Sequence, residues 1–428
     1  MEKVKIAILG LGNVGQGVWN ILNTNKKVIT QRAGCHIQIE KILVKDKSKK
    51  RAVSIPEELL TEDPEEIFSN DDIKVVVELI GGEYPALEYM IRAMKAKKHV
   101  ITANKMVLAL HGRSLFETAF KEGVHFYYEA SVGGGIPIIR ELNESLTANK
   151  IESLAGIING TTNYILTKMS MNDMTFDSAL KEAQEKGFAE ADPTSDIEGY
   201  DAAYKLAIVS TLSFGQFIDV KSISREGITK IQPLDIEYAE KFGYVIKFLA
   251  IGKKRDGALE LRVHPAMIPA SHPLANVNDS FNAIFLKGNA VGDLMLYGRG
   301  AGDLPTGSAV VGDLISVLRN HVAYTFLNLK NETLHHKAIL PSEKNASKYY
   351  IRLSTLDKPG ILGKISSIFG SHGVSIVTVN QTIISEKNVD LVFTTHLGEE
   401  GPLNKALKEI ELLKEINSIE SLIRIEDI

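Results

Sequence analysis

The sequence predicts an α/β chain in three parts: a doubly wound parallel sheet, then an α+β domain, then a small ferredoxin-like βαββαβ domain. Three observations carry this. Between Val4 and Glu129, short apolar runs alternate with helical patterns, as parallel strands and their crossover helices do. The run Gly133-Gly134-Gly135 ends that alternation, and strands and helices then cease to alternate regularly. Beyond a polar stretch at Ala338–Ser347, the patterns read strand, helix, strand, strand, helix, strand. A length of 428 residues suits such a division, since about two or three domains are usual for a chain of that size.

Composition narrows the function classes. A formal net charge of −4 lacks the basic excess of a nucleic-acid binder. No apolar stretch near Met1 has the form of a signal peptide or a membrane span. The single cysteine, Cys35, excludes an intramolecular disulfide and argues against a cysteine-held metal. A reducing, cytoplasmic setting is expected.

The first strand, Val4–Leu9, runs directly into Gly10-Leu11-Gly12-Asn13-Val14-Gly15, and a helix follows with Val18, Trp19, Ile21 and Leu22 inward. Between a strand and a helix, GxGxxG reads as a dinucleotide site. The glycines make the tight turn, let backbone N–H groups reach a pyrophosphate and bring helix close to sheet. This part is therefore Rossmann-like, with further strands at Ile37–Val44, Val75–Ile80, His99–Thr102 and Val124–Glu129, and helices at Pro85–Ala96 and Lys105–Glu122. After the second strand come Lys45, Asp46, Lys47, Lys49, Lys50 and Arg51. Asp46 lies further past Gly15 than the usual ~20 residues of a ribose-binding acid, so a long loop intervenes. The basic residues favour NADP over NAD, with a solvated basic turn as the bland alternative. Lys105 opens a helix at the carboxyl end of a strand, where open sheets bind ligands but a helix dipole disfavours a cation. A ligand-facing role stands there beside that of an ordinary exposed lysine.

Ser131–Pro137 forms a loop with exposed backbone carbonyls, and Pro137 is placed to start a helix over 138–146. Strands at Ile151–Ile158, Tyr244–Ile251, Leu259–His264, Asn282–Lys287 and Ala290–Tyr297 build the α+β domain. The cluster Gly298–Gly307 precedes a helical run, Ser308–Phe326. There the chain is expected to return to the nucleotide domain and lay backbone amides, Gly302 among them, against the cofactor. The expected domains are 1–131 with 298–337, 132–297, a linker at 338–348, and 349–428. In the last, Tyr349–Thr355, Val374–Thr382, Leu391–His396 and Ile419–Ile425 are strands, and Lys364–His372 and Leu403–Leu413 helices. It holds no catalytic constellation, which leaves binding or assembly as its task.

The densest chemistry lies between Gly187 and Lys205. Asp192-Pro193 opens a turn, after which Ile197, Tyr200, Ala203, Tyr204, Ala207, Ile208 and Leu212 recur at helical spacing, predicting a helix from about Ser195. Asp201 and Lys205 share one face of it, with Glu190 and Asp192 on the loop that delivers the chain. Alone, this is a surface salt bridge beside an acidic loop. Asp192 and Asp196 also suit helix capping.

Together, Gly10–Gly15, Asn104-Lys105, Gly133–Pro137, Gly156–Leu166 and Glu190–Lys205 resemble homoserine dehydrogenase, and the tail from about Tyr349 is similar to an ACT regulatory domain. The match covers essentially the whole chain. Its middle motifs are specific, whereas the first glycine motif is shared by many enzymes. With no amino-acid kinase region before Met1, the monofunctional form is the nearer likeness. The resemblance implies NAD(P)-dependent interconversion of L-homoserine and L-aspartate 4-semialdehyde, on the way to threonine, methionine and isoleucine. Lys205 would be the general acid and Lys105 a second catalytic lysine beside the nicotinamide. Glu190 and Asp201 would hold the substrate, with Gly160 and Thr161 nearby. Gly10 to Gly15, Lys45, Lys105, Gly187 and Gly302 would face the cofactor. Also implied is a monovalent cation, Na+ or K+, on Glu129 and the carbonyls of Val132, Gly134 and Ile136. The tail suggests feedback by an end product such as threonine at the turn Asp357–Leu362. Middle-domain strands able to pair across subunits point to a homodimer, which association of the tails would double to a homotetramer.

The chemistry of these residue types agrees. Hydride addition to an aldehyde leaves an alkoxide, which a nearby ammonium stabilises and protonates. An acyl-enzyme aldehyde dehydrogenase requires a cysteine nucleophile, and Cys35 precedes the second strand, away from the expected cleft. His335-His336 lacks zinc-ligand spacing. The remaining alternative is a non-catalytic amino-acid or redox sensor, which would show no cofactor turnover with homoserine.

Overall fold

A computed structural model describes residues 2–319 and 337–428. The chain divides into two compact units. One comprises Met1–Leu154, Asp201–Ile223 and Phe281–His336; the other comprises Ala155–Tyr200, Ser224–Ser280 and Lys337–Ile428.

In the first unit, β1 (Lys3–Leu9), β2 (His36–Leu43), β3 (Leu60–Thr61), β4 (Ile73–Glu78), β5 (His99–Thr102) and β6 (Phe126–Tyr127) form one sheet. Its order is β3-β2-β1-β4-β5-β6, every pair parallel. Ile6–Leu9 and Val75–Val77 are wholly buried, which is why these strands read as unbroken apolar runs rather than alternating ones. The strand order reverses at β1 and β4, and the carboxyl ends there are where such sheets take ligands. Strand β6 is shorter than Val124–Glu129: the Glu129 N–H donates to the Asp313 carboxylate at 2.8 Å, and the chain winds into a short turn over Glu129–Ser131. The helix expected over 138–146 is Ile138–Arg140 continued as a π-turn over Glu141–Ser145.

Helix Asp303–Leu318 lies against helix Asn13–Thr24 so closely that a Cβ on Gly17 would stand 2.1 Å from the Asp303 carbonyl oxygen. The last part of the predicted run to Phe326, and His335-His336, lie outside the described residues. Among the described residues, no helix is long and apolar enough to cross a membrane.

In the second unit, Tyr244–Arg255 and Ala258–Pro269 form an antiparallel hairpin through Asp256 and Gly257, at φ 50° and 80°. Two positive-φ residues make the turn whose twist matches the strands. The second hairpin strand pairs in parallel with Ile416–Ile425, an edge strand of the C-terminal βαββαβ sheet. That sheet runs on through Ala346–Leu356, Asn388–Thr395 and Ile376–Ile383, with helices Ile361–Ser371 and Glu400–Glu411 over its core. The stretch expected as a linker hydrogen-bonds to Leu259 through Ala338 and Leu340.

Two differences from the sequence reading bear on the site. Helix Gly160–Asn172 went unpredicted: Thr161–Thr167 are all buried, so it shows no polar face. The helix expected from Ser195 is two pieces, Thr194–Ile197 and Tyr200–Phe214, broken at Gly199 with φ 80°.

Candidate active site

Gly10 and Gly15 are required by the turn itself, since added Cβ atoms would meet the Leu79 carbonyl at 2.7 Å and the Gly10 carbonyl at 2.5 Å. Beside Gly12 there is nothing within 4 Å. That open space faces the start of helix Asn13–Thr24, which has no side-chain cap and no acidic residue in its first turn. Its first N–H groups are thus left for an anion. A cavity of about 920 Å³ is bordered by Gly10, Gly12, Lys45, Asp46, Lys49 and Arg51. Asp46 Oδ1 accepts from the Ser48 N–H at 2.7 Å and its hydroxyl at 2.6 Å, which holds the carboxyl below its ordinary range. Arg51 donates to the carbonyls of Asp46, Lys47 and Lys49. The acid is therefore engaged within its loop, while lysines border the cavity.

Lys105 is placed by a buried relay. The Thr102 hydroxyl donates to Glu78 at 2.6 Å and accepts from the Asn104 N–H; the Asn104 side chain donates to the Gly82 carbonyl and caps the Lys105 helix by accepting from Val107. Burial raises the Glu78 carboxyl above its usual range. Lys105 Nζ stands 3.0 Å from Asp201 Oδ1, and Lys205 Nζ 2.7 Å from Asp201 Oδ2. The two lysines named from the sequence thus meet at one carboxylate, and both border a 300 Å³ cavity with Asn13, Ser131, Gly302 and Thr306. Asp201 faces two protein ammoniums. Such a pair offers two donors to an oxygen that becomes negative.

The glycine loop folds beneath this cavity and is mostly buried rather than exposed. Gly134, at φ 53°, lies so near Gly300 that a Cβ would stand 2.6 Å from its carbonyl. The buried Glu129 carboxylate accepts the N–H groups of Ile139 and Arg140 at 2.9 and 2.8 Å. Burial pushes that carboxyl up to about 7, and burial and the Glu129 charge hold Asp313 well above the carboxylate range. Arg140 reaches Asp313 only at 3.6 Å. The Ile136 carbonyl accepts from Ile138 at 2.8 Å and keeps a second lone pair. Among the described residues, no three His, Cys, Asp or Glu side chains cluster as metal ligands.

The other named residues lie in the second unit. Gly160 begins helix Gly160–Asn172, capped by Asn159, whose side chain also donates to Asp196 at 2.7 Å. Thr161 donates to the Phe188 carbonyl at 2.7 Å. Gly187 turns the chain at φ 74°, and Glu190 is exposed on the loop that follows. Asp192 accepts from the Thr194 N–H. Thr102 and Thr306 fall within stretches expected at the ligand, but a lone threonine carries no pattern that gives its hydroxyl a role.

A family model for homoserine dehydrogenase matches residues 137–315, one for the NAD-binding domain of that enzyme matches 10–129, and one for the ACT domain matches 349–413. The chain is 38% identical to a homoserine dehydrogenase of Bacillus subtilis over 100% of this chain and 99% of the relative. A solved homoserine dehydrogenase of Thiobacillus denitrificans superposes with a TM-score of 0.94 at 42% identity, covering 100% of this chain and 99% of that one. A hyperthermophilic archaeal homoserine dehydrogenase in complex with NADPH gives 0.63 at 26% identity, over 74% of this chain and 97% of that one.

Proposed function

The chain belongs to the homoserine dehydrogenase family, an NAD(P)-dependent oxidoreductase of amino-acid biosynthesis, and we propose that Lys205 is the general acid and base of its reaction, seconded by Lys105. The sensor alternative gains no support from these relatives. The observation that carries the assignment is the convergence of both ammoniums on Asp201.

The bound nicotinamide supplies or accepts the hydride. Lys205 gives its proton to the carbonyl oxygen of L-aspartate 4-semialdehyde as that oxygen becomes an alkoxide, and takes it back from the hydroxyl of L-homoserine in the reverse direction. Its side chain is 11% exposed against 42% for Lys105. The more enclosed lysine suits proton transfer, and the more open one steadies substrate and cofactor. Asp201 keeps the two cations together at the reacting oxygen; it and Glu190 are assigned to the substrate's ammonium, and Gly160 and Thr161 to substrate binding. Lys205→Ala tests the assignment: turnover should fall by at least about 100-fold while NADPH still binds, and unchanged turnover would end it.

NADP is the preferred cofactor in this reading, supported by Lys45, Lys49 and Arg51 at the cavity and by the local engagement of Asp46. Gly187 and Gly302 belong to its surroundings. Glu129, with the carbonyls of Val132, Gly134 and Ile136, would hold a monovalent cation, whose charge would favour the ionised form of a carboxyl that burial pushes up to about 7. Melting in NaCl or KCl against choline chloride tests this, and an equal midpoint in all three counts against it. A cytoplasmic homodimer with threonine as effector at Asp357–Leu362 completes the proposal. An exposed, apolar edge strand, Ile376–Ile383, supports association. Sedimentation and threonine titration test these two points.

A further inference from the structure

Helix Tyr200–Phe214 carries Asp201 in its first turn and Lys205 one turn later. It starts just after the break at Gly199. The segment Ser224–Ile228 grips that start. Arg225 donates to the Glu198 carbonyl before the break and lays its guanidinium over the Tyr200 ring after it, 3.4 Å from the centroid. Ile228 donates to the Ile197 carbonyl at 2.9 Å. No slack remains between the two segments. A Cβ on Gly227 would stand 2.5 Å from the Ile197 carbonyl oxygen, and one on Gly199 3.3 Å from Arg225 Cγ and 2.9 Å from the Phe248 ring.

The gripping segment is itself anchored. Ser224 and Arg225 pair in parallel with Arg262 and Val263, and Glu226 donates its N–H to the Val263 carbonyl at 2.8 Å. The Glu226 carboxylate accepts from Arg424 at 2.8 Å, and Arg424 is buried and held by Glu400 through two further bonds of 2.6 and 3.1 Å. Arg424 and Glu400 both belong to the C-terminal βαββαβ part.

We propose that Arg225 is a positioning residue for the reaction: by clamping Glu198 and Tyr200 it sets the start of the helix from which Asp201 and Lys205 project, and Glu226 fastens that clamp to the C-terminal domain through Arg424. The inference rests on the assignment of Lys205 as general acid. A guanidinium suits the task because its plane stacks on the ring while its edge donates to the carbonyl. A lysine does only one of these at a time. Displacing a proton donor by about 1 Å costs on the order of 100-fold in turnover.

The test uses the full-length protein, with kcat expressed per bound NADPH so that unfolded molecules do not count. Arg225→Ala and Tyr200→Ala should each lower kcat by roughly 10- to 100-fold, leave the cofactor KM unchanged and raise the solvent deuterium isotope effect as proton transfer becomes limiting. The double variant should be no worse than either single one, because both remove the same clamp. Tyr200→Phe keeps the ring and should behave as the parent. If Arg225→Ala folds poorly, Tyr200→Ala, at a residue 43% exposed, carries the same readouts. Unchanged kcat and isotope effect in both single variants, or losses that multiply in the double, would overturn the inference. Turnover retained in Lys205→Ala would overturn the parent assignment and this one with it, whereas loss there beside intact clamp variants overturns this one alone.

Discussion

Lys105 and Lys205, far apart in the chain, are held to opposite oxygens of one carboxylate, at 3.0 and 2.7 Å from Asp201. Two ammoniums this close repel each other unless an anion lies between them. Asp201→Asn removes the anion and keeps the shape. Its kcat should fall by about 100-fold, while NADPH binding at the glycine turn remains. Stopped-flow turnover with fluorescence titration of the cofactor separates the two. Asp201→Asn with parental kcat would mean that the lysines keep their places without it.

The basic loop after β2 makes a prediction about cofactor choice. Arg51 donates to three carbonyls of the loop that carries Lys45 and Lys49, so it both arranges those lysines and adds charge at the cavity. Arg51→Ala should raise KM for NADPH about tenfold, equivalent to about 1.4 kcal/mol, and change that for NADH little. Initial rates with both cofactors give the ratio directly. Equal rises for the two would place Arg51 in the folding of the loop and not in recognition of the 2′-phosphate.

Much of the first unit was legible because its strands are buried on both faces, leaving Ile6–Leu9 and Val75–Val77 as plain apolar runs beside a glycine turn. The C-terminal strands and helices were legible from the order of their apolar patterns, although Ile376–Ile383 is largely exposed. What escaped was set by tertiary contact. Helix Gly160–Asn172 hides its period by being buried all round. The break at Gly199 answers to Phe248, Val263 and Arg225, which no local pattern announces. The spacing of Asp201 and Lys205 showed one ion pair, and only folding added Lys105 to it. Arg225, a single arginine between unremarkable neighbours, carried no signal at all.

His99 gives the acid limb of stability a specific cause. Its Nδ1 accepts the His125 N–H at 3.0 Å, the two rings are 4.6 Å apart, and burial, with the neighbouring ring, lowers His99 to about 4. An unfolded histidine titrates near 6.5. Between about 6.5 and about 4 the unfolded chain therefore binds more protons than the folded one, so this contribution is fully present above 6.5 and is lost as pH falls through 4. In His99→Phe the denaturation midpoint should depend less on pH across that window than in the parent, as urea melts at pH 7, 5.5 and 4.5 will measure. An identical slope in the two proteins would assign the acid limb to other groups.

The C-terminal domain is joined to helix Pro233–Lys241 and to the hairpin Tyr244–Pro269 by more than a tether, which decides how the proposed regulation has to be tested. Arg352, 3% exposed, donates to Asp235, 0% exposed, at 2.9 Å, and also to Asp390 and Gln232; the Tyr350 hydroxyl meets the same Asp235 oxygen. Arg262 and Glu426 form a second buried pair at 2.7 Å. Removing one member of a buried pair leaves an uncompensated charge and costs about 3–5 kcal/mol. Arg352→Leu should lower the free energy of unfolding by that amount in urea titration, and a loss below about 1 kcal/mol would place the pair among weak surface contacts. By the same reasoning, deleting residues after Ser347 strips Ala266 and Met267 of their strand partners and leaves Arg262 with Glu260 as its one carboxylate in place of two. The truncated enzyme should melt earlier and lose turnover without any effector. The proposed threonine response is therefore better tested by a substitution in the exposed turn Asp357–Gly360, which leaves both buried pairs intact: any inhibition of the parent by threonine should be abolished at unchanged melting temperature. Inhibition that survives there would move the effector site out of that turn.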